Sequence, residues 1–88
     1  MYSVYILESL STGRYYIGQS KDIIGRLKRH NAGYEASTRG KGPWQLRWHR
    51  EFESRSEAYR EERRLKNLKS RRRIKVYVSD HGYTESGL

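Results

Sequence analysis

An 88-residue chain with 19 Lys and Arg against 10 Asp and Glu carries a net charge of +9 and a pI near 10.1, which fits one small domain that attracts polyanions. It contains no cysteine, so disulfides, cysteine-ligated zinc and iron–sulfur clusters are excluded. Only 34% of the residues are hydrophobic, but eight are tyrosines, so the expectation is a small core built largely from aromatic area, with modest stability.

Residues 2 to 8 alternate and are rich in Tyr, Val, Ile and Leu; Ser9-Leu10-Ser11-Thr12-Gly13 breaks the run and Arg14 to Gln19 resumes it. This predicts a β-hairpin with a longer loop. Period-2 alternation puts Tyr5 and Leu7 on one face of the first strand and Val4 and Ile6 on the other, so that strand is expected to be central and covered on both sides. Ser20 or Asp22 can cap a helix in which Ile23, Leu27 and His30 recur at i, i+4 and i+7, and Gly33 is its expected left-handed stop. Gly25 inside this helix costs up to about 1 kcal/mol relative to Ala, and a close approach of the hairpin backbone is the expected reason.

Residues 34 to 43 read as a basic surface loop ending in Gly42-Pro43. From Trp44 to Phe52 a third strand is predicted, with Trp44, Leu46, Trp48 and Phe52 on one side and Gln45, Arg47, His49 and Glu51 on a wet side. Ser54-Arg55-Ser56-Glu57 matches a capping box, and the helix it opens should turn Ala58, Leu65 and Leu68 inward and run to about Lys69. Ser70 can cap a short helix through residue 78, although Ile and Val make a strand almost as plausible there. From residue 79 a disordered tail is expected, leaving 1–78 as the single domain.

Taken singly, the chemically capable residues all have ordinary explanations. Tyr5 and Tyr16 suit a strand core, Arg26 a solvated helix, and His30 the negative pole of a helix. Glu62 suits an ion pair with Lys66 one turn on. Spacing does not separate Glu61 from Glu62, because each flanks the apolar stripe of its helix. His30, His49 and His81 lack zinc-ligand spacing, and there is neither a second acidic cluster for a two-metal centre nor a phosphate-cradling glycine loop with its lysine.

Together the residues say more. Ser3-Val4-Tyr5, Tyr16-Ile17-Gly18, the stretch Gly25-Arg26-Leu27-Lys28-Arg29-His30-Asn31, and Ala58 followed four residues later by Glu62 resemble the GIY-YIG nuclease core. Ser3 stands where the family usually has Gly. The chain is similar to small stand-alone bacterial members and to the amino-terminal nuclease module of the UvrC-type excision-repair nuclease. The resemblance implies an α+β fold, a three-stranded antiparallel sheet flanked by helices, with Tyr5, Tyr16, Arg26, His30 and Glu62 as catalytic residues. It selects Glu62 over Glu61 as the ligand of Mg2+ (or Mn2+), one carboxylate with retained waters being a normal way to hold magnesium. Arg26 and the metal are expected to stabilise a phenolate that is otherwise a poor base, its ordinary pKa being near 10.

Lys28, Arg29, Arg39, Lys41 and Lys66 are the expected phosphate contacts, which give affinity without sequence choice. The implied function is a metal-dependent endonuclease acting on DNA, in repair or processing. The alternative is an accessory protein that binds nucleic acid without cutting it. A membrane partner is not expected, since no apolar run is long enough to span a bilayer and no helix has a broad apolar face. No export signal opens the chain, so a cytoplasmic location is the default expectation. A specificity-conferring protein partner and the oligomeric state are left open.

Overall fold

The computed structural model describes residues 1–80. Its elements are β1 (Tyr2–Ser9), β2 (Tyr15–Ser20), α1 (Ile23–Ala32), β3 (Trp44–Phe52), α2 (Arg55–Lys66) and α3 (Arg71–Asp80). The strands form one antiparallel sheet in the order β2-β1-β3, so the first strand is central and the α+β architecture is the expected one.

The alternation of β1 divides the core in two. Val4 and Ile6 join Ile17, Trp48, Ala58, Leu65, Ile74, Tyr77 and Val78, the layer under α2 and α3. Tyr5 and Leu7 join Trp44 and Leu46, with Tyr16, Ile23 and Leu27 packed against them, the layer under α1. A strand buried on both faces needs apolar residues at every position, and Val4 to Leu7 supply them, each at most 1% exposed.

The third strand departs from simple alternation. Ile6 opposes Trp48 but Leu7 opposes Leu46, so Arg47 is an extra residue bulged out of the ladder. One added residue inverts the facing of everything beyond it. Trp44 and Leu46 therefore lie in the Tyr5 layer, whereas Trp48 and Phe52 lie in the Val4 layer, which corrects the expectation of one shared apolar face. The bulged Arg47 is held by its Nε donating to Glu8 Oε1 at 2.7 Å.

Helix ends follow local chemistry. Asp22 caps α1 by accepting from the Gly25 N–H at 3.0 Å, while Ser20 Oγ accepts from the Asp22 N–H. A methyl at position 25 would collide with that Asp22 carboxylate, so the glycine makes room for the cap and not for the hairpin. Gly33, at φ 83°, ends the helix as expected. In α2 the Ser54 hydroxyl accepts from the Glu57 N–H at 3.2 Å and reaches the Glu57 carboxylate at 3.0 Å. This helix ends at Lys66, short of Lys69, which takes a left-handed φ of 53°.

The segment after Ser70 is a helix and not a strand. Ile74, Tyr77 and Val78 recur on one stripe and are buried, while Arg71 to Arg73 and Lys75 stay in water. It runs through Ser79 and Asp80, into the stretch expected as tail; residues 81–88 lie outside the described ones. Tyr77 donates to Glu61 Oε2 at 3.0 Å and Arg64 Nη2 to the same oxygen at 2.6 Å, clamping α2 to α3. Burial would raise the Glu61 pKa, but hydrogen bonds from Arg64 and Tyr77 outweigh it and hold the carboxyl below its ordinary value. No helix of the described residues is long and apolar enough to cross a membrane.

Candidate active site

The hairpin register brings the two phenols together. Tyr5 opposes Gly18 and Leu7 opposes Tyr16, so the rings of Tyr5 and Tyr16 lie diagonally on one face with centroids 6.3 Å apart. Gly18 provides their space. A Cβ there would lie 2.7 Å from the Tyr5 hydroxyl oxygen and 3.0 Å from Tyr16 Cε1. The space a side chain would take at position 18 is thus filled by the tyrosines themselves.

α1 brings His30, 2% exposed, against both rings: its centroid is 4.7 Å from that of Tyr16, and its Nε2 is 3.0 Å from the Tyr5 hydroxyl. Its Nδ1 lies 2.8 Å from Thr38 Oγ1, and the Thr38 hydroxyl donates to the Glu35 carbonyl at 3.3 Å. A threonine hydroxyl has one proton. With that proton on the carbonyl, Thr38 accepts from Nδ1–H, which leaves Nε2 as the acceptor of the Tyr5 O–H. The proton order Tyr5 to His30 to Thr38 to Glu35 is the assignment that satisfies all three contacts at once.

Electrostatics agree with a neutral pair. Burial lowers the His30 pKa from its ordinary 6.5; Glu35 opposes this, and Arg26 and Arg29 reinforce it. Burial raises the Tyr5 pKa well above the ordinary phenol value, Tyr16 adds to the rise, Arg26 counters it, and Glu35 and Glu62 add further. Arg26 therefore acts on the phenol as expected but is outweighed, and the resting hydroxyl keeps its proton.

Arg26 is held at the cluster by Glu35, Nη1 to Oε1 at 3.2 Å, and Arg29 reaches the same oxygen at 3.5 Å. Glu62 comes from α2. Its Oε1 accepts from Gln19 Nε2 at 3.0 Å, next to Gly18, and its Oε2 meets Lys66 Nζ at 2.9 Å. The structure thus brings Tyr5, Tyr16, Arg26, His30 and Glu62 into one neighbourhood. Glu62 also forms the ordinary ion pair with Lys66, so the two readings of it hold together.

The expected phosphate contacts are less uniform. Lys28 is exposed, whereas Arg29 lies over the Tyr34 ring as well as beside Glu35. Arg39 Nε donates to the Gly33 carbonyl at 2.8 Å, Lys41 Nζ to the Ser37 carbonyl at 3.4 Å, and Lys66 is paired with Glu62. Arg26 instead lines a cleft of about 520 Å³ with Gln19, Lys21 and Arg55.

A metal ion would have a narrow donor set. No group of three or more His, Cys, Asp or Glu side chains converges among the described residues. Glu62 offers one carboxylate, 14% exposed, and the ammonium already drawn to its Oε2 shows that cationic charge is favoured there. This fits a mostly hydrated magnesium ion, provided that Lys66, 53% exposed, swings away.

Sequence reasoning did not single out Gln19, Glu35 or Thr38. Glu35 carried a weak signal, as the sole carboxylate of a basic loop, while Thr38 looked like any small polar loop residue.

The model of the GIY-YIG catalytic domain family matches residues 1–77. Similar chains include a UPF0213 protein of Halobacterium salinarum, 46% identical over 77% of this chain and 88% of the relative, and a UPF0213 protein of Yersinia pestis, 35% identical over 89% and 82%. The solution NMR structure of the UPF0213 protein BH0048 from Bacillus halodurans superposes with a TM-score of 0.57 at 42% identity, over 90% of this chain and 84% of that one. The names of these relatives state no activity, whereas the family's domain is that of a nuclease, whose substrate is nucleic acid. With its fold, its two tyrosines on paired strands and the match over 1–77, this chain belongs to the GIY-YIG catalytic domain family.

Proposed function

We propose that this protein is a metal-dependent endonuclease that hydrolyses phosphodiester bonds of DNA in repair or processing. The observation that carries the reading is the Tyr5 hydroxyl oxygen 3.0 Å from His30 Nε2 in a buried pair, with Arg26 and Glu62 close enough to act on the phenol. A buried phenol of raised pKa is a poor base when it must first ionise. Here the proton has somewhere to go. As Tyr5 takes a proton from the attacking water, it passes its own to His30 Nε2, so no free phenolate accumulates. The imidazolium that forms is compensated by Glu35, whose charge favours it.

Tyr16 packs on His30 and keeps the ring in place. Arg26 offers planar donors to the phosphate oxygens as negative charge develops. A Mg2+ or Mn2+ ion held by Glu62 would supply charge stabilisation for the pentacovalent phosphorus and the departing 3′ oxygen. Removing one such electrostatic group commonly lowers the rate by about two to three orders of magnitude.

The test is Glu62→Gln on a panel of plasmid, flap, branched and single-stranded DNA with magnesium, manganese or chelator. Cleavage should be lost while salt-sensitive binding persists; equal cleavage by variant and parent overturns the assignment. The engagement of both Glu62 oxygens favours a second reading, an accessory domain that binds nucleic acid without cutting it. Binding by the parent with no metal-dependent breaks on any substrate would establish that reading instead.

A further inference from the structure

We propose that the cleft walled by Tyr2, Lys21 and Arg55 is a binding subsite for the phosphodiester group adjoining the scissile one. The proposal rests on the nuclease reading for the word scissile, but its chemistry stands on the cleft alone. At about 520 Å³ the cleft has the size of a small-ligand site, and Arg26 and Gln19 form the wall nearest the catalytic cluster, Gln19 being the residue that holds Glu62. A strand whose cleaved linkage lies at Arg26 would therefore carry its next linkage into this space.

Two cations wait there. Lys21 Nζ lies 5.0 Å from the centroid of the Tyr2 ring and the Arg55 guanidinium carbon 5.7 Å from the same centroid. Neither has a carboxylate within ion-pair distance among the described residues, in contrast to Arg26, Arg29 and Lys66. The carboxylate that lines the cleft, Asp22, is engaged in capping α1. Bringing two like charges to one ring is unfavourable by itself, and each cation–π contact returns only about 0.5–1 kcal/mol at an exposed site. A bound anion removes that repulsion.

The platform is firm. Tyr2 is half-buried, packs against the Val4 core layer and opposes Phe52 across the sheet, so its ring is fixed by the fold. Lys21 sits in the turn that joins β2 to α1, and Arg55 opens α2. The turn that leads into α1, the helix of Arg26 and His30, thus presents Lys21, and α2, the helix of Glu62, presents Arg55. The ligand class is the phosphate diester and not a base edge, because Gln19, the amide in the cleft, is committed to Glu62. Contacts of this kind position a strand and carry no sequence information.

The experiment compares the parent with Lys21→Gln/Arg55→Gln, binding a short DNA duplex across a range of salt with chelator present, and separately measures metal-dependent nicking. Both side chains are exposed, and amide spectra of each protein check that the fold is kept. The double variant should bind several-fold more weakly, with the slope of log K against log salt reduced in magnitude by about 1 for each phosphate no longer neutralised. In nicking it should raise KM and leave kcat close to the parent's. Unchanged affinity and salt slope overturn the subsite, whatever the nicking result. A reduced slope in a protein that never nicks sustains the subsite and removes the nuclease reading, so the two failures are distinguishable. Tyr2→Leu, which keeps the apolar packing and removes the ring, should reproduce part of the loss; full affinity in that variant would remove the ring from its positioning role.

Discussion

The Tyr5 hydroxyl and His30 Nε2 share one buried hydrogen bond of 3.0 Å, and that pairing decides how the site responds to acid. The imidazole is buried and neutral, and its Nε2 is free to accept the phenol's proton only while it carries none of its own. Its pKa is lowered on folding, so the unfolded chain takes up a proton first as pH falls. Stability from this residue is therefore fully present above the ordinary value of 6.5 and is lost as pH drops through the lower folded value. Glu61 contributes in the same direction only below its ordinary 4.5, so the interval between 4.5 and 6.5 reports His30. Urea unfolding over that interval should show the midpoint falling with acid in the parent and a flatter profile in His30→Gln. Identical profiles would dissociate His30 from the pH response. The cleavage rate should fall across the same interval, because a protonated ring can accept nothing from Tyr5.

On α2, Glu62 and Lys66 stand one turn apart, so the candidate metal ligand is neutralised by its own helix. A surface pair of this kind contributes at most about 1 kcal/mol, but it competes directly with a cation arriving from solvent. Lys66→Met should lower the Mg2+ concentration needed for half-maximal nicking by a few-fold, and water-proton relaxation with Mn2+ should show the same direction without any cleavage. Unchanged metal dependence would place the ion elsewhere. The same helix illustrates what was legible in the sequence. Its capping box, its inward Ala58 and Leu65, the hairpin, the Gly33 stop and the family all follow from local pattern, and the structure bears them out. The bulge at Arg47 was not legible, because period-2 counting presumes one residue per rung and nothing local marks the added one. At the site, Tyr5, Tyr16, Arg26, His30 and Glu62 were named by motif, and the structure draws them together. Glu35 and Thr38, which hold Arg26 and orient His30, come from a loop whose position is set by tertiary contacts, so no spacing could announce them.

The described residues form one sheet and two thin core layers back to back on β1, and the candidate site takes Glu62 from α2 but Tyr5, Tyr16, Arg26 and His30 from the α1 side. The opposite layer includes Ile74, Tyr77 and Val78 of α3, three of its nine buried members, with the Tyr77 ring edge-on to Trp48 at 5.3 Å. Burying a large apolar side chain is worth roughly 1.5–3 kcal/mol, so α3 supplies several kcal/mol to a domain whose total stability is expected to be only about 5–15 kcal/mol. Truncation after Ser70 removes none of Tyr5, Tyr16, Arg26, His30 or Glu62, yet it uncovers Val4, Ile6 and Trp48. The strand that loses its cover is the strand that carries Tyr5. The truncated chain should lose both its cooperative thermal transition and its dispersed amide spectrum, and nicking should vanish with them. A melt within a few degrees of the parent would mean that the α1 layer alone sustains the sheet, and that the two faces of β1 are less coupled than their shared backbone implies.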